Sequence, residues 1–191
     1  MCGFVGYLSL PNNKNQGTSL ETIRKMSDAL VHRGPDSSGF WHSHVDGITL
    51  GFRRLAIQDT SEKGNQPMIS ASGQYVIVFN GEIYNHFKLR KQVENIQSNY
   101  PWKSNSDTET LLACFDLWGI DDTIRKCSGM FSFAVWCNKT KLLTLGRDRL
   151  GEKPLYYGWQ GNDENATFFF GSELKAFHQH PAFKKQINRN A

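Results

Sequence analysis

The 191-residue chain has no apolar run long enough to span a bilayer. Its N-terminus lacks a basic segment followed by a long hydrophobic one, so no secretory signal is visible. Neither a membrane nor a secreted protein is indicated, and a cytoplasmic location is the expectation. Cysteine is scarce: Cys2, Cys114, Cys127 and Cys137 form no Cys-x-x-Cys pair and none of the close Cys/His spacing of zinc sites. The pairs His42-x-His44 and His178-x-His180 have no nearby third ligand and lie in polar, turn-like sequence, so both are expected to be solvated and no metal is expected. Charge of one sign is not concentrated either. The net charge is +4, with basic residues scattered apart from small clusters such as Lys184-Lys185, which does not indicate nucleic acid as a partner. Internal repeats, low-complexity tracts and linkers are absent. One domain over residues 1–191 follows, with ample length to bury a continuous core.

What is present is alternation of short apolar runs with helical patterns. Phe4–Leu10 reads as a strand starting just after Cys2. Thr18-x-x-Glu21 has capping-box spacing before a helix with Leu20, Ile23, Met26 and Leu30 at helical intervals and Gly34-Pro35 as its stop. Gly39–Trp41, Ile48–Ile57 and the continuously apolar Tyr75–Phe79 read as strands, with Asn80-Gly81 breaking the last of them. Asn85 can cap a helix facing inward through Leu89, Val93 and Ile96. Ser106-x-x-Glu109 opens another helix, with Leu111, Phe115 and Trp118 in line and Gly119 as its stop. Strands at Met130–Trp136, Leu142–Leu145, Leu155–Trp159 and Thr167–Phe170 follow, then a helix from Glu173. Strands, two middle helices and strands again predict an α+β fold of two packed sheets with helices outside.

Several polar groups stand where packing does not ask for them. Cys2 directly follows the initiator methionine; without Met1 it would carry a thiol nucleophile and an α-amine base on one residue. Taken alone, this stretch reads more simply as a small residue leading into a buried strand. Cys114 and Cys137 fall in apolar patterns where cysteine acts as a small hydrophobe. Asn80-Gly81 follows an apolar strand, so the Asn amide and the Gly N–H could hold an oxyanion, or simply form a turn. Arg53 and Arg54 point to opposite faces of a strand. The inward one needs an anion, supplied by a substrate carboxylate or by an internal salt bridge. Asp107 lies in the first turn of its helix, where the macrodipole favours a carboxylate in any case.

Cys2-Gly3, His32-Arg33-Gly34-Pro35-Asp36, Arg54-Leu55-Ala56-Ile57, Asn80 to Asn85 and Ser106-Asp107-Thr108-Glu109 occur in one order over nearly the whole chain. In this the sequence resembles the class II glutamine amidotransferases, which are N-terminal-nucleophile hydrolases. The resemblance implies a four-layer αββα sandwich. It implies Cys2 as nucleophile with Asn80 and Gly81 as the oxyanion hole. For glutamine it implies Arg54 on the α-carboxylate, Asp107 on the α-ammonium, and contacts around Leu55, Ile57 and Glu82. Asp148 to Gly158 ("DRLGEKPLYYG") and Gly171 to Phe177 ("GSELKAF") are similar to the asparagine-synthetase-like group in particular.

That group implies ammonia supplied for ATP-dependent amidation of aspartate by a C-terminal synthetase domain. No Ser-Gly-Gly-x-Asp-Ser-type loop for pyrophosphate occurs in these residues, so ATP and magnesium are expected only with such a domain and no cofactor is expected for this one. The expected partners are glutamine and the synthetase domain, with a homodimer left open. Amidation of another carboxylate, a non-catalytic partner-binding descendant and a related hydrolase of another amide are the alternatives.

Overall fold

The computed structural model describes residues 1–9, 20–162 and 165–186. A five-stranded antiparallel sheet has the order β2-β3-β1-β9-β8, built from β1 (Gly3–Ser9), β2 (Ser37–Ser43), β3 (Ile48–Arg54), β8 (Tyr156–Gln160) and β9 (Thr167–Gly171). A four-stranded antiparallel sheet, β4-β5-β6-β7, is built from β4 (Met68–Ile69), β5 (Tyr75–Ile83), β6 (Gly129–Cys137) and β7 (Leu142–Arg147). Helices α1 (Leu20–Asp28) and α5 (Leu174–Phe177) cover the outer face of the first sheet. Helices α2 (His86–Ile96) and α3 (Asp107–Trp118) cover that of the second, with the short α4 (Ile120–Lys126) against α3. The expected four-layer αββα sandwich is the fold observed.

Strand alternation explains the three cores. Phe4, Leu50 and Phe52 point inward from the first sheet and meet Val76, Val78, Ala134 and Trp136 of the second. The residues between them point outward: Val5 and Tyr7 pack on Ile23, Met26 and Leu30, while Ile77 and Phe79 pack on the helices of the other side. A side chain of Phe52's size, removed from water, stabilises by about 2–3 kcal/mol. At the open end of the sandwich, the next inward positions are Cys2 just before β1, Arg54 on β3 and Asn80 on β5. Each continues an apolar inward row with a polar side chain.

Several local expectations are corrected. Asn80-Gly81 does not break its strand: β5 stays paired with β6 through Ile83↔Gly129. Gly81 permits this because a Cβ there would lie 2.3 Å from the Met130 carbonyl oxygen. The third strand ends at Arg54 rather than Ile57, and β8 starts at Tyr156, one residue after Leu155. Asn85 stands at the N-cap of α2 without capping it, since its amide instead bonds Lys126 O and Ser128 N–H. Leu20 and Ile96 are exposed at the helix ends, the middle segment holds α4 besides the two expected helices, and Thr18 lies outside the described residues. His178 is exposed, but His180 is buried (4% exposed) against Tyr7 and Phe169, and burial pushes its pKa down to about 4. No helix of the described residues is long and apolar enough to cross a membrane.

Candidate active site

A cleft of about 240 Å³ opens at the end of the sandwich where the inward rows turn polar. Cys2, Arg54, Leu55, Ile57, Asn80, Gly81, Glu82 and Asp107 all line it, so the fold gathers into one concavity the residues that the family resemblance names for the site. Ile57 sits at the rim, 63% exposed. Met1, Gln66, Thr108, Met130 and Lys153 complete much of the remaining wall.

Cys2 is half-buried and free of any disulfide. Its Sγ is bracketed by the backbone of Leu55, whose N–H approaches at 3.4 Å and whose carbonyl lies at 3.5 Å. The early end of β3 provides this, because Leu55 leaves the sheet and turns its backbone toward the thiol. Burial raises the Cys2 pKa, opposed by the Leu55 hydrogen bond and by the positive charges of the N-terminus and Arg54. The Cys2 carbonyl accepts from Arg33 Nε at 3.0 Å, and Arg33 is held by Glu173 at 3.0 Å. The His32-Arg33 segment and the Gly171–Phe177 segment are thus tied together behind the nucleophile, a role that their separation in sequence does not signal.

Asn80 is 2% exposed, and its Nδ2 has no hydrogen-bond partner among the described residues. A buried amide donor without an acceptor costs about 1–3 kcal/mol. The Gly81 N–H stands beside it. Phe79 N–H goes to Gln66 Oε1 and Ile83 N–H to Asp107 Oδ2, both on the edge of β5 away from β6. Alternation puts the Gly81 N–H on that same edge, between them. Two donors therefore face the cleft from a rigid strand.

Arg54 is 7% exposed. Its guanidinium donates to Ser61 O at 2.7 Å, to Asn65 Oδ1 at 2.9 Å and to Asp59 O. All three acceptors are uncharged, and no salt bridge holds Arg54 among the described residues, so the internal ion pair weighed from the sequence is not formed. Arg53 takes the ion pair instead, with Asp28. Gly64 makes the cradle feasible, since a Cβ there would lie 2.3 Å from Arg54 Nη2.

Ser106 accepts from Glu109 N–H at 3.2 Å, one half of the expected capping box, and so starts α3 at Asp107. Glu109 does not reciprocate, because its carboxylate is spent on Lys103 N–H, Ser104 N–H and Ser104 Oγ. Asp107 is 6% exposed and accepts from Ile83 N–H at 2.9 Å. Burial pushes its pKa up to about 6, with the Glu82 charge adding to the rise and the Ile83 bond opposing it. An inward carboxylate that accepts only from Ile83 and Thr108, and enters no salt bridge among the described residues, has room for a cation. Among the described residues no group of three or more His, Cys, Asp or Glu is placed to hold a metal ion. Sequence reasoning missed Gln66 and Lys153 as cleft residues: a lone glutamine carries no motif, and the Asp148 to Gly158 segment that contains Lys153 carries no signal of which side chain enters the cleft.

Known proteins resemble this chain in sequence and in fold. Asparagine synthetase [glutamine-hydrolyzing] 3 of Bacillus subtilis (strain 168) is 38% identical over 191 residues, which is 99% of this chain and 29% of that protein. Asparagine synthetase [glutamine-hydrolyzing] 1 of the same organism is 39% identical over 176 residues, 92% of this chain and 26% of that protein. A putative asparagine synthetase [glutamine-hydrolyzing] 2 of Methanocaldococcus jannaschii is 35% identical over 206 residues, 100% of this chain and 37% of that protein. The chain thus spans well under half the length of the curated relatives it matches. Among solved structures, the glutamine phosphoribosylpyrophosphate amidotransferase of B. subtilis, complexed with ADP and GMP, superposes with a TM-score of 0.71 at 19% identity, over 93% of this chain and 43% of that one. That likeness shows the shared fold. With a glutamine amidotransferase domain model matched over residues 1–191, the chain belongs to that family.

Proposed function

We propose that this domain hydrolyses the side-chain amide of glutamine through a thioester on Cys2, releasing glutamate and ammonia. The observation that carries the reading is the orphaned Asn80 Nδ2 beside the Gly81 N–H, in the cleft that holds the Cys2 thiol. Donors left unpaired in a buried site are stabilising only when a negative oxygen arrives, which is what attack on a carbonyl creates.

The active form lacks Met1, since an acylated α-nitrogen cannot accept a proton. An α-amine has a pKa of about 7.7–8.0 and a thiol about 8.5, so the Cys2 amine can take the proton of its own thiol. The thiolate attacks the amide carbon, and the oxyanion rests on Asn80 Nδ2 and Gly81 N–H. The C–N bond breaks as the Cys2 ammonium gives its proton to the leaving nitrogen. Water, deprotonated by the same amine, then cleaves the thioester and glutamate departs. Arg54 binds the α-carboxylate and Asp107 the α-ammonium, while the segment around Leu55 and Ile57 and the Glu82 backbone bound the amino-acid end.

The names of the relatives support aspartate as the eventual acceptor, amidated by an ATP-dependent synthetase domain outside these 191 residues. Glutamine labelled with ¹⁵N in its amide tests the reading. The processed chain alone should release labelled ammonia whether or not ATP and aspartate are present, and should make no labelled asparagine. Absence of hydrolysis by correctly processed protein would overturn the glutaminase reading, and label in asparagine would place the acceptor chemistry in this domain.

A further inference from the structure

Lys153 lines the cleft, yet the reaction above gives it nothing to do. Its side chain belongs to a residue only 7% exposed, and among the described residues it enters no salt bridge. The one hydrogen-bond partner of its ammonium there is Met1 Sδ, at 3.3 Å. A thioether is a weak acceptor, and a buried ammonium without a counter-charge is costly.

The backbone nonetheless fixes it in place from both sides. Asp148, itself buried, accepts from the N–H groups of Phe131 at 3.1 Å, Leu150 at 3.1 Å, Glu152 at 3.0 Å and Lys153 at 3.2 Å. Arg147 donates to the carbonyls of Lys153 at 2.6 Å and Gly151 at 2.5 Å, and Gly151 turns the loop with φ 67°. Both backbone polar groups of Lys153 are therefore tied, and its side chain starts from a rigid loop.

We propose that Lys153 is a positioning residue acting through the Cys2 α-amine. Once Met1 is removed its thioether leaves with it, and the Lys153 ammonium remains in the cleft that holds the new N-terminus at Cys2, where its charge favours the neutral, proton-accepting form of that amine. The proposal rests on the reading of the Cys2 amine as base. The charged groups lining the cleft are Arg54 from β3, Asp59 from the loop after it, Glu82 from β5, Asp107 from α3 and Lys153 itself, with Arg33 on the Cys2 carbonyl. The carboxylates favour the ammonium form of the amine. Arg33 is paired with Glu173, whereas Arg54 keeps its charge on three neutral acceptors, so Lys153 and Arg54 are the cleft cations that oppose them. No bond is made to Lys153. After the amine has taken the thiol proton, the like charge of Lys153 makes the Cys2 ammonium a better donor to the leaving nitrogen.

The test uses processed protein labelled with ¹³C at the cysteine α-carbons. Cys114, Cys127 and Cys137 have amide nitrogens, so only the Cys2 signal follows amine titration in NMR. In Lys153→Met the amine midpoint should rise by about one pH unit. Lys153→Arg should restore it, and the acid limb of kcat/KM should move by the same amount. Lys153→Gln gives the same reading should the Met variant fail to fold. An amine midpoint unmoved in a folded, charge-removed variant overturns the proposal whatever its activity. A midpoint that moves while the kcat/KM limb stays supports the charge relation and overturns the amine as base instead.

Discussion

The side-chain amide of Gln66 bonds both backbone polar groups of Phe79, with Oε1 accepting from the N–H at 2.6 Å and Nε2 donating to the carbonyl at 3.2 Å. Gln66 acts as one more strand partner for β5 beyond the end of β4, and Phe79 precedes Asn80. The same Nε2 reaches Thr108 Oγ1 at 3.3 Å, next to Asp107. One buried amide thus ties together the two segments that carry the proposed oxyanion donors and ammonium site.

Gln66→Leu should therefore cost stability and activity together. It leaves a buried N–H and carbonyl of Phe79 unpaired, worth about 2–4 kcal/mol in all, and frees Asn80 to shift. Chemical denaturation reads the first effect and kcat the second. Full kcat in a destabilised variant would show that Asn80 is held without Gln66.

Asn80→Ala should lower kcat by roughly a hundred- to a thousand-fold, the usual loss for one oxyanion donor. Stability should hold or rise, because the removed amide has no partner in the resting protein. An effect on KM alone would make Asn80 a ground-state contact.

Asp107→Asn should stabilise the protein at neutral pH while weakening glutamine binding. The folded carboxyl keeps its proton up to about pH 6, whereas the unfolded chain releases it near pH 3.9, about the usual value for aspartate. Between these the folded state binds more protons, so the contribution of Asp107 turns against folding as pH rises through that window and stays constant above it. Removing the charge should raise stability at pH 7 by on the order of 1–3 kcal/mol, with little change below pH 4. A melting curve across pH 4 to 8 checks the sign. The wild-type KM for glutamine should rise as pH falls below about 6, and that rise should be absent from the variant.

Gly64→Ala should raise KM with little effect on kcat. Its Cβ would occupy the place of Arg54 Nη2, displacing the guanidinium from its cradle while leaving Cys2 and Asn80 untouched. Compounds lacking the α-carboxylate should lose much less affinity than glutamine. Equal losses for both would mean that Arg54 does not read that group.

Retention of Met1 should abolish turnover. Intact-mass measurement of active and inactive preparations would show it, and full activity with Met1 in place would remove the amine from the mechanism.

Much of the fold was legible because period-two and helical patterns report burial directly. Ile23 and Met26 on α1 and the continuously apolar Tyr75–Phe79 in β5 are buried as their patterns require, and Leu30 is buried too although α1 ends at Asp28, before it. The motif residues were legible as a set, from their order along the chain. Element ends were less so. Asn80-Gly81 is a good turn pair by local preference, yet it stays in a strand because β6 offers a complete ladder and Gly81 lets it approach. His180 looked solvated because its neighbours in sequence are polar, but its neighbours in space are Tyr7 and Phe169.

The sequence by itself determined the two-sheet sandwich, the family and the chemical types at Cys2, Arg54, Asn80, Gly81 and Asp107. Only the tertiary structure decided that Asn80 Nδ2 has no partner, that Arg54 lacks a carboxylate, that Gln66 joins two segments and that Lys153 enters the cleft on Met1. The physical reason is range. Burial patterns are written locally by alternation and helical period, whereas hydrogen bonds and unpaired charges depend on which atoms from distant segments meet, and that is settled only when the layers pack.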